Sequence, residues 1–335
     1  MAGLTEPAQV GKREDLADIY SIVDMKSTPF ITRANKSKKP TNVKFEWLVD
    51  AYATPRVTGV VDGKDASEYE NAASSRARLA NYIQVFRREK KVSRLSENVS
   101  EVAGVPSEIG LASAKALIEI KRDMETTFLQ NGVDGQADNG TAPYLTATLG
   151  KWIDTTGPTV PASVPAAYRP ASGQIITTAT ASLDENTDVQ NLLKAIYDAT
   201  GMNGDYVLFL GSTIRRRFTE MTRTASTTSA NKPRTFNADM GSTTITHTTT
   251  VYEGDYGTIT LESSNFIGND YSTAGNTGKN VGYLLDMDKI HIRQNKSPGR
   301  ESFEDQGGGP RIMIEAVAGI QVDNPVGLGK FAPTA

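Results

Sequence analysis

Pro106 to Gly132 reads PSEIGLASAKALIEIKRDMETTFLQNG, and this stretch decides the kind of fold the chain takes. Apolar residues recur at Ile109, Ala112, Ala116, Ile120, Met124 and Phe128, three or four apart. That spacing draws one apolar stripe along an α-helix of more than about five turns. Pro106 suits a first turn, where its missing N–H has no intrahelical role, and Gly132 suits the stop. A shorter helix is expected just before it, over Ser96–Ala103, ended by Gly104.

Toward the N-terminus the period changes to two. Val43, Phe45, Trp47 and Val49 alternate with Lys44, Glu46, Leu48 and Asp50, which predicts a strand with one face to bury. A charged, glycine-bearing stretch from Thr54 to Arg76 follows, and Asn81–Phe86 is β-prone again, so the pair makes an extended hairpin with a long polar tip. A two-stranded ribbon of this kind is marginal alone in water and asks for a partner surface. The first 40 residues carry a short apolar turn (Leu16, Ile19, Tyr20, Ile22, Val23), the run Ser27–Phe30 and the basic Lys36–Pro40. Pro29 and Pro40 punctuate this stretch, which reads as an arm.

Toward the C-terminus, residues 131–173 shift to Gly, Thr and Pro and read as a boundary or excursion outside the core. Asp184 then caps a helix carrying Val189, Leu192, Leu193 and Ile196, stopped at Gly201. Tyr206–Leu210 predicts a buried strand, Ser212 the start of a basic helix, and Thr222–Pro233 a loop. Strands are expected over Thr243–Tyr252, Gly257–Glu262, Val281–Asp286, Lys289–Arg293 and Arg311–Val322. The fold class is α+β.

Composition narrows the chemistry. The 335 residues include no cysteine and two histidines, which removes disulfides, thiolate metal sites and thiol nucleophiles. No run approaches the roughly 18 apolar residues of a membrane span, so no membrane partner is expected. A net charge of −3 gives no global drive toward nucleic acid. His247 and His291 sit in alternating strand patterns and read as satisfied strand residues. Thr273–Lys279 (TAGNTGK) ends like a phosphate loop but lacks its first glycine, with Asn280 where Ser or Thr should stand. The pairs Asp184/Asp188 and Asp286/Asp288 are explained by capping and a turn, and Gly307–Gly309 is either a turn leading into a strand or a subunit-contact loop. No catalytic, cofactor or metal residue is assigned.

Three basic clusters remain: Lys36, Lys38 and Lys39; Arg87, Arg88, Lys90 and Lys91; and Arg215, Arg216 and Arg217. The second directly follows the hairpin and is the one expected to form salt bridges between subunits.

Five stretches carry a family resemblance: DLADIYSIVDMKSTPF (Asp15–Phe30), VKFEWLVD (Val43–Asp50), Val92–Leu129, DYVLFLGSTIRRRF (Asp205–Phe218) and VYEGDYGTITLESSNFI (Val251–Ile267). In this order they resemble the major capsid proteins of tailed double-stranded DNA phages, in the subfamily whose arm ends aspartate-methionine-x-x-threonine-proline-phenylalanine, here Asp24–Phe30. The resemblance implies the Hong Kong 97-type phage capsid fold. On that reading residues 1–40 are the N-terminal arm and 41–91 the extended loop. The peripheral domain with its spine helix takes 92–135, the apical domain 136–300, and the return strand and C-terminus 301–335. The implied function is a structural subunit, not an enzyme, that forms hexamers and pentamers of an icosahedral head around DNA. Partners would be further copies of itself, scaffolding and portal proteins, and DNA through weak non-specific contact. The protein would be assembled in the host cytoplasm and reside in the virion. Phe30, Phe45, Trp47, Arg87, Arg88, Lys90 and Lys91 are the expected inter-subunit residues, with Ile312, Ile314 and Val317 of the return strand packing on the spine helix. A protein nanocompartment of the same fold, a phage tail or adaptor protein, and an unrecognised hydrolase are the rivals.

Overall fold

The structure, a computed structural model, describes residues 27–66, 69–71, 73–99, 107–223, 250–267 and 280–333. Its helices are α1 (Pro29–Arg33), α2 (Arg94–Val99), α3 (Glu108–Phe128), α4 (Leu149–Trp152), α5 (Gln190–Thr200) and α6 (Ser212–Arg223). Its strands are β1 (Asn35–Ser37), β2 (Lys44–Val49), β3 (Ala77–Tyr82), β4 (Gln84–Lys91), β5 (Ile175–Ile176), β6 (Gly204–Leu210), β7 (Val251–Gly254), β8 (Gly257–Ser263), β9 (Gly282–Leu285), β10 (Ile290–Phe303), β11 (Arg311–Val322) and β12 (Gly329–Phe331). The apolar turn at Leu16–Val23, Gly104, Pro106, His247, most of the loop from Thr222 to Pro233, residues 243–249 and the run Thr273–Lys279 lie outside the described residues.

The long helix forms as its stripe demands. Ser107, in an extended conformation, accepts the Gly110 amide and caps α3. Ala116, Ile120, Met124 and Phe128 are buried, while Ile109 and Ala112 are half-buried. The helix lies on a sheet ordered β1-β10-β11-β4, in which β1 runs parallel to β10 and the other pairs are antiparallel. Phe86 of β4 meets Phe128 of α3 edge-on, and Arg88 and Lys90 reach Asp123 and Glu119 of the same helix. The helix therefore covers the face of β4 carrying residues 86, 88 and 90. Their cross-strand partners on β11 are Ala316, Ile314 and Ile312. Val317 is set opposite Val85, on the other face of the sheet, so it does not join Ile312 and Ile314 under the helix as expected; a period of two allows no other outcome.

β10 runs on to Phe303, well past the predicted end at Arg293. Pro298 and Gly299 are absorbed where the β10–β11 register shifts between Lys296 and Gly299. β10 thus enters this sheet at Ile290, inside the range expected for the apical domain.

The second sheet is ordered β5-β12-β9-β6-β8-β7 and is covered on both sides. Along β6, Val207 and Phe209 join the core that also holds Phe30, Phe128 and Trp152. Tyr206, Leu208 and Leu210 join a second core with Leu192, Leu193 and Ile196 of α5 and Phe218 of α6. Asp184 caps the turn leading into α5, and Gly201 closes the helix in the left-handed region at φ 70°. β12 was not foreseen: Gly329–Phe331 is short, yet Phe331 is fully buried between β5 and β9.

The reading of residues 131–173 as lying outside the core is overturned. Ala147, Leu149, Trp152 and Ile153 are all fully buried, and Val164 and Tyr168 nearly so. Apolar residues are scarce there but concentrated between Leu145 and Ile153, and average composition hid them. The turn is held by Thr148, whose amide and hydroxyl both donate to the Val133 carbonyl.

Candidate functional site

Two segments reach the body at buried roots, the helix α1 and the β2–β3 ribbon, and the side chains that hold them form the candidate site. The first is α1. Pro29 opens the helix where proline is tolerated, and Phe30 is fully buried against Phe128 at 6.4 Å and Phe209 at 5.8 Å, both edge-on. The amides of Phe30 and Ile31 donate to the two carboxylate oxygens of Glu125 on α3, each at 2.9 Å. Glu125 is itself fully buried, and Ser264 lies at 3.5 Å. Burial pushes its pKa up to about 7, against the opposing pull of the two amides and Ser264, with nearby Glu262 adding to the rise. Arg33 pairs with Glu262 at 2.7 Å and holds the other end of α1. Glu125 escaped sequence reasoning; its one signal was a carboxylate placed beside Met124 within the helix's apolar stripe.

The second segment is the β2–β3 ribbon, paired in register from Lys44↔Tyr82 to Val49↔Ala77. Phe45 stacks on Trp47 at 5.8 Å, and Trp47 lies 5.4 Å from Trp152. The Trp47 indole N–H donates to the Val322 carbonyl at 3.0 Å. Asn81, fully buried on β3, donates to the Ile320 carbonyl at 2.7 Å and accepts the Ala147 amide at 2.8 Å. The base is thereby fixed to β11 and to the 145–153 turn. Beyond it the composition inverts: Tyr52, Val57, Val60, Val61 and Tyr69 are all at least 77% exposed.

The seven residues expected between subunits have definite places in the single chain. Phe30, Phe45 and Trp47 lie in one continuous core. Arg87 bonds Glu315 at 2.8 Å, Arg88 bonds Asp123 at 2.6 Å and Lys90 bonds Glu119 at 2.8 Å, so these three are engaged within the chain. Hydrogen bonding to Glu315 and Asp123 holds both guanidinium groups more firmly charged than usual. Lys91 is exposed, with its ammonium beside Gly308.

The other candidates resolve locally. Arg216 pairs with Glu220 at 2.9 Å, Arg217 donates to the Leu183 carbonyl, and the Lys38 carbonyl accepts from Arg293. His291 meets Asp323 at 3.0 Å. Asp184 and Asp286 each accept a nearby amide as caps, while Asp188 accepts from Thr178. The amides of Gly307, Gly308 and Gly309 all donate to one oxygen of Asp305, which also pairs with Arg94. These bonds, led by the Gly308 amide, hold the Asp305 carboxyl far below the usual range. Among the described residues, no group of three or more His, Asp or Glu could hold a metal ion. No helix among them is long and apolar enough to cross a membrane.

The family model described as SU10 major capsid protein matches residues 3–335. Solved structures with the same fold include that of Gordonia phage Cozz, at 12% identity and a TM-score of 0.59, with 99% of each chain covered. The capsid of a native GTA particle matches at 13% identity and a TM-score of 0.60, covering 97% of this chain and 96% of that one. The capsid of cyanophage P-SCSP1u matches at 10% identity and 0.59, covering 99% and 97%. No curated protein sequence matches the chain.

Proposed function

The chain belongs to the SU10 major capsid protein family and has the Hong Kong 97-type phage capsid fold, and from that premise we propose that it self-assembles into hexamers and pentamers that close as an icosahedral head around phage DNA. The observation that carries this is the contrast along the extended loop. Its base is fixed by Phe45, Trp47 and Asn81, while Tyr52, Val57, Val60, Val61 and Tyr69 stand in water. A group of large apolar side chains on one projecting segment marks a protein contact. The occupant is a neighbouring copy of the same chain, because heterologous contact between copies is what generates closed rings.

On this reading Phe30, Phe45 and Trp47 serve the contact from inside, by fixing where the arm and the loop leave the body. Arg87, Arg88 and Lys90 hold β4 on its own helix and sheet, and Lys91 faces a neighbour. DNA is met by weak non-specific contact, as a net charge of −3 favours. Scaffolding and portal proteins are the further partners, with assembly in the host cytoplasm and the virion head as final location. The test is sedimentation velocity with negative-stain microscopy on the protein alone and with a scaffolding partner. Closed shells, or separate hexamer and pentamer rings, are expected. A stable monomer or dimer in both samples at high concentration overturns the reading.

A further inference from the structure

Two of the basic clusters are largely neutralised where they stand. Arg87, Arg88 and Lys90 bond Glu315, Asp123 and Glu119, and Arg216 and Arg217 both reach Glu220. The first cluster differs. Lys36, Lys38 and Lys39 are all exposed, and none has an ion-pair partner among the described residues. The cations that flank them in the chain do: Arg33 pairs with Glu262 at 2.7 Å, and Lys44 with Glu46 at 2.7 Å. The backbone under the three lysines is also held. β1 lies parallel to β10, with Lys36 opposite Ile292 and Ser37 opposite Arg293. Asn35 donates to the Met287 carbonyl at 3.1 Å, Arg293 to the Lys38 carbonyl at 3.0 Å and Asn295 to the Pro40 carbonyl at 3.0 Å. Arg293 adds a fourth positive charge, and its Nε engages Gln321, a neutral group. Asp323, which the end of β11 brings to this edge, is occupied by His291 at 3.0 Å and by Gln321. The fold therefore keeps three like charges within four residues and places no free carboxylate among them, although they repel one another.

We propose that Lys36, Lys38 and Lys39, with Arg293 beside them, form the surface on which the subunit meets the phosphate backbone of duplex DNA. The inference rests on the shell reading, which supplies the DNA, and it assigns the weak contact named there to the β1 edge of its sheet. At about 3.3 Å per residue the strip is up to about 10 Å long. Duplex DNA carries one phosphate charge per about 1.7 Å of its axis, so a row of this length faces several phosphates at once. Lysine contacts to phosphate fix position and carry no sequence information, so the binding is indifferent to sequence.

The test is fluorescence anisotropy of a short labelled DNA duplex with the unassembled subunit, from about 50 to about 200 mM salt. The triple variant Lys36→Gln, Lys38→Gln, Lys39→Gln should flatten the slope of log affinity against log salt by about 2.7. Across that range the wild type then loses about 40-fold more affinity than the variant. Each single variant should flatten the slope by about 0.9, which keeps the test open if the triple variant unfolds. Arginine at the same three positions should preserve the slope, and a second duplex of unrelated sequence should bind equally well. Lys64→Gln, Lys121→Gln and Arg300→Gln together remove the same charge from exposed sites elsewhere and should leave most of the slope in place. Equal slopes in the wild type and the glutamine variants, or equal flattening in that control, overturn the proposal. So does tighter binding of polyglutamate than of DNA, which would assign the strip to an acidic protein. Binding is read without assembly, so closed shells with unchanged slopes sink this proposal alone, whereas a missing shell sinks the reading above it.

Discussion

Glu125 makes the stability of the subunit depend on pH in a direction opposite to that of most carboxylates. Its carboxyl titrates at about 7 in the folded chain against an ordinary value of 4.5. The folded state therefore binds the proton more tightly than the unfolded one, and stability falls as pH rises between those values. The contribution is full below 4.5, is lost as pH passes 7, and is flat above. Each unit of raised pKa is worth about 1.4 kcal/mol, so the whole span amounts to about 3 kcal/mol. Glu125→Gln keeps one oxygen to accept the Phe30 or Ile31 amide and carries no charge. Urea unfolding of the unassembled subunit at pH 5 and pH 8 should show the wild type losing about 2 to 3 kcal/mol more than the variant. Titrating groups that do not interact with Glu125 are common to both proteins and cancel in the difference. Equal pH slopes would refute the assignment of a buried, titrating carboxylate beneath the arm.

Three further outcomes are expected. Replacing Val57, Val60 and Val61 together by serine should leave urea unfolding of the subunit unchanged within about 0.5 kcal/mol per site, while closed shells disappear from negative-stain fields; normal shells would remove the loop from the contact. Trp152→Ala should cost about 3–5 kcal/mol in the same unfolding assay, because the indole is fully buried against Trp47; a loss under about 1 kcal/mol would contradict its place in the core. A double-mutant cycle on Arg88 and Asp123 should give a coupling of at most about 1 kcal/mol in the isolated subunit, measured as unfolding free energy, because both side chains are partly exposed; a coupling well above about 1 kcal/mol would contradict that exposure.

Periodic segments were legible and compositional averages were not. The stripe of α3, the alternation of β2 and the cap-to-glycine span from Asp184 to Gly201 each follow from local spacing, and each is found. The 145–153 turn was missed because its burial depends on Trp47 and Asn81, brought to it by chain pairing that no local window contains. The same limit applied to Arg87, Arg88 and Lys90. A dense basic run reads as a surface in search of a partner, and only the β4–β11 register with α3 above it supplies Glu315, Asp123 and Glu119. Glu125 was obscured for a different reason, since a lone acid in a stripe is indistinguishable from a solvent-facing one until α1 sits over it.

The contacts at the base of the loop also bear on how fast a subunit can come into being. The Trp47 indole and the carbonyl it meets are 275 residues apart in the chain, and Asn81 and Ile320 are 239 apart. β1 finds β10 across a similar span, with Asn35 set against His291. Chains dominated by such distant pairings fold slowly, because loop-closure entropy is lost before the contacts can return anything. The base of the projecting loop is anchored in part by these distant contacts. On the proposed assembly, a chain that has not yet closed would have no fixed platform from which to offer that loop to a neighbour, and incomplete subunits would be kept out of the shell without a separate checkpoint.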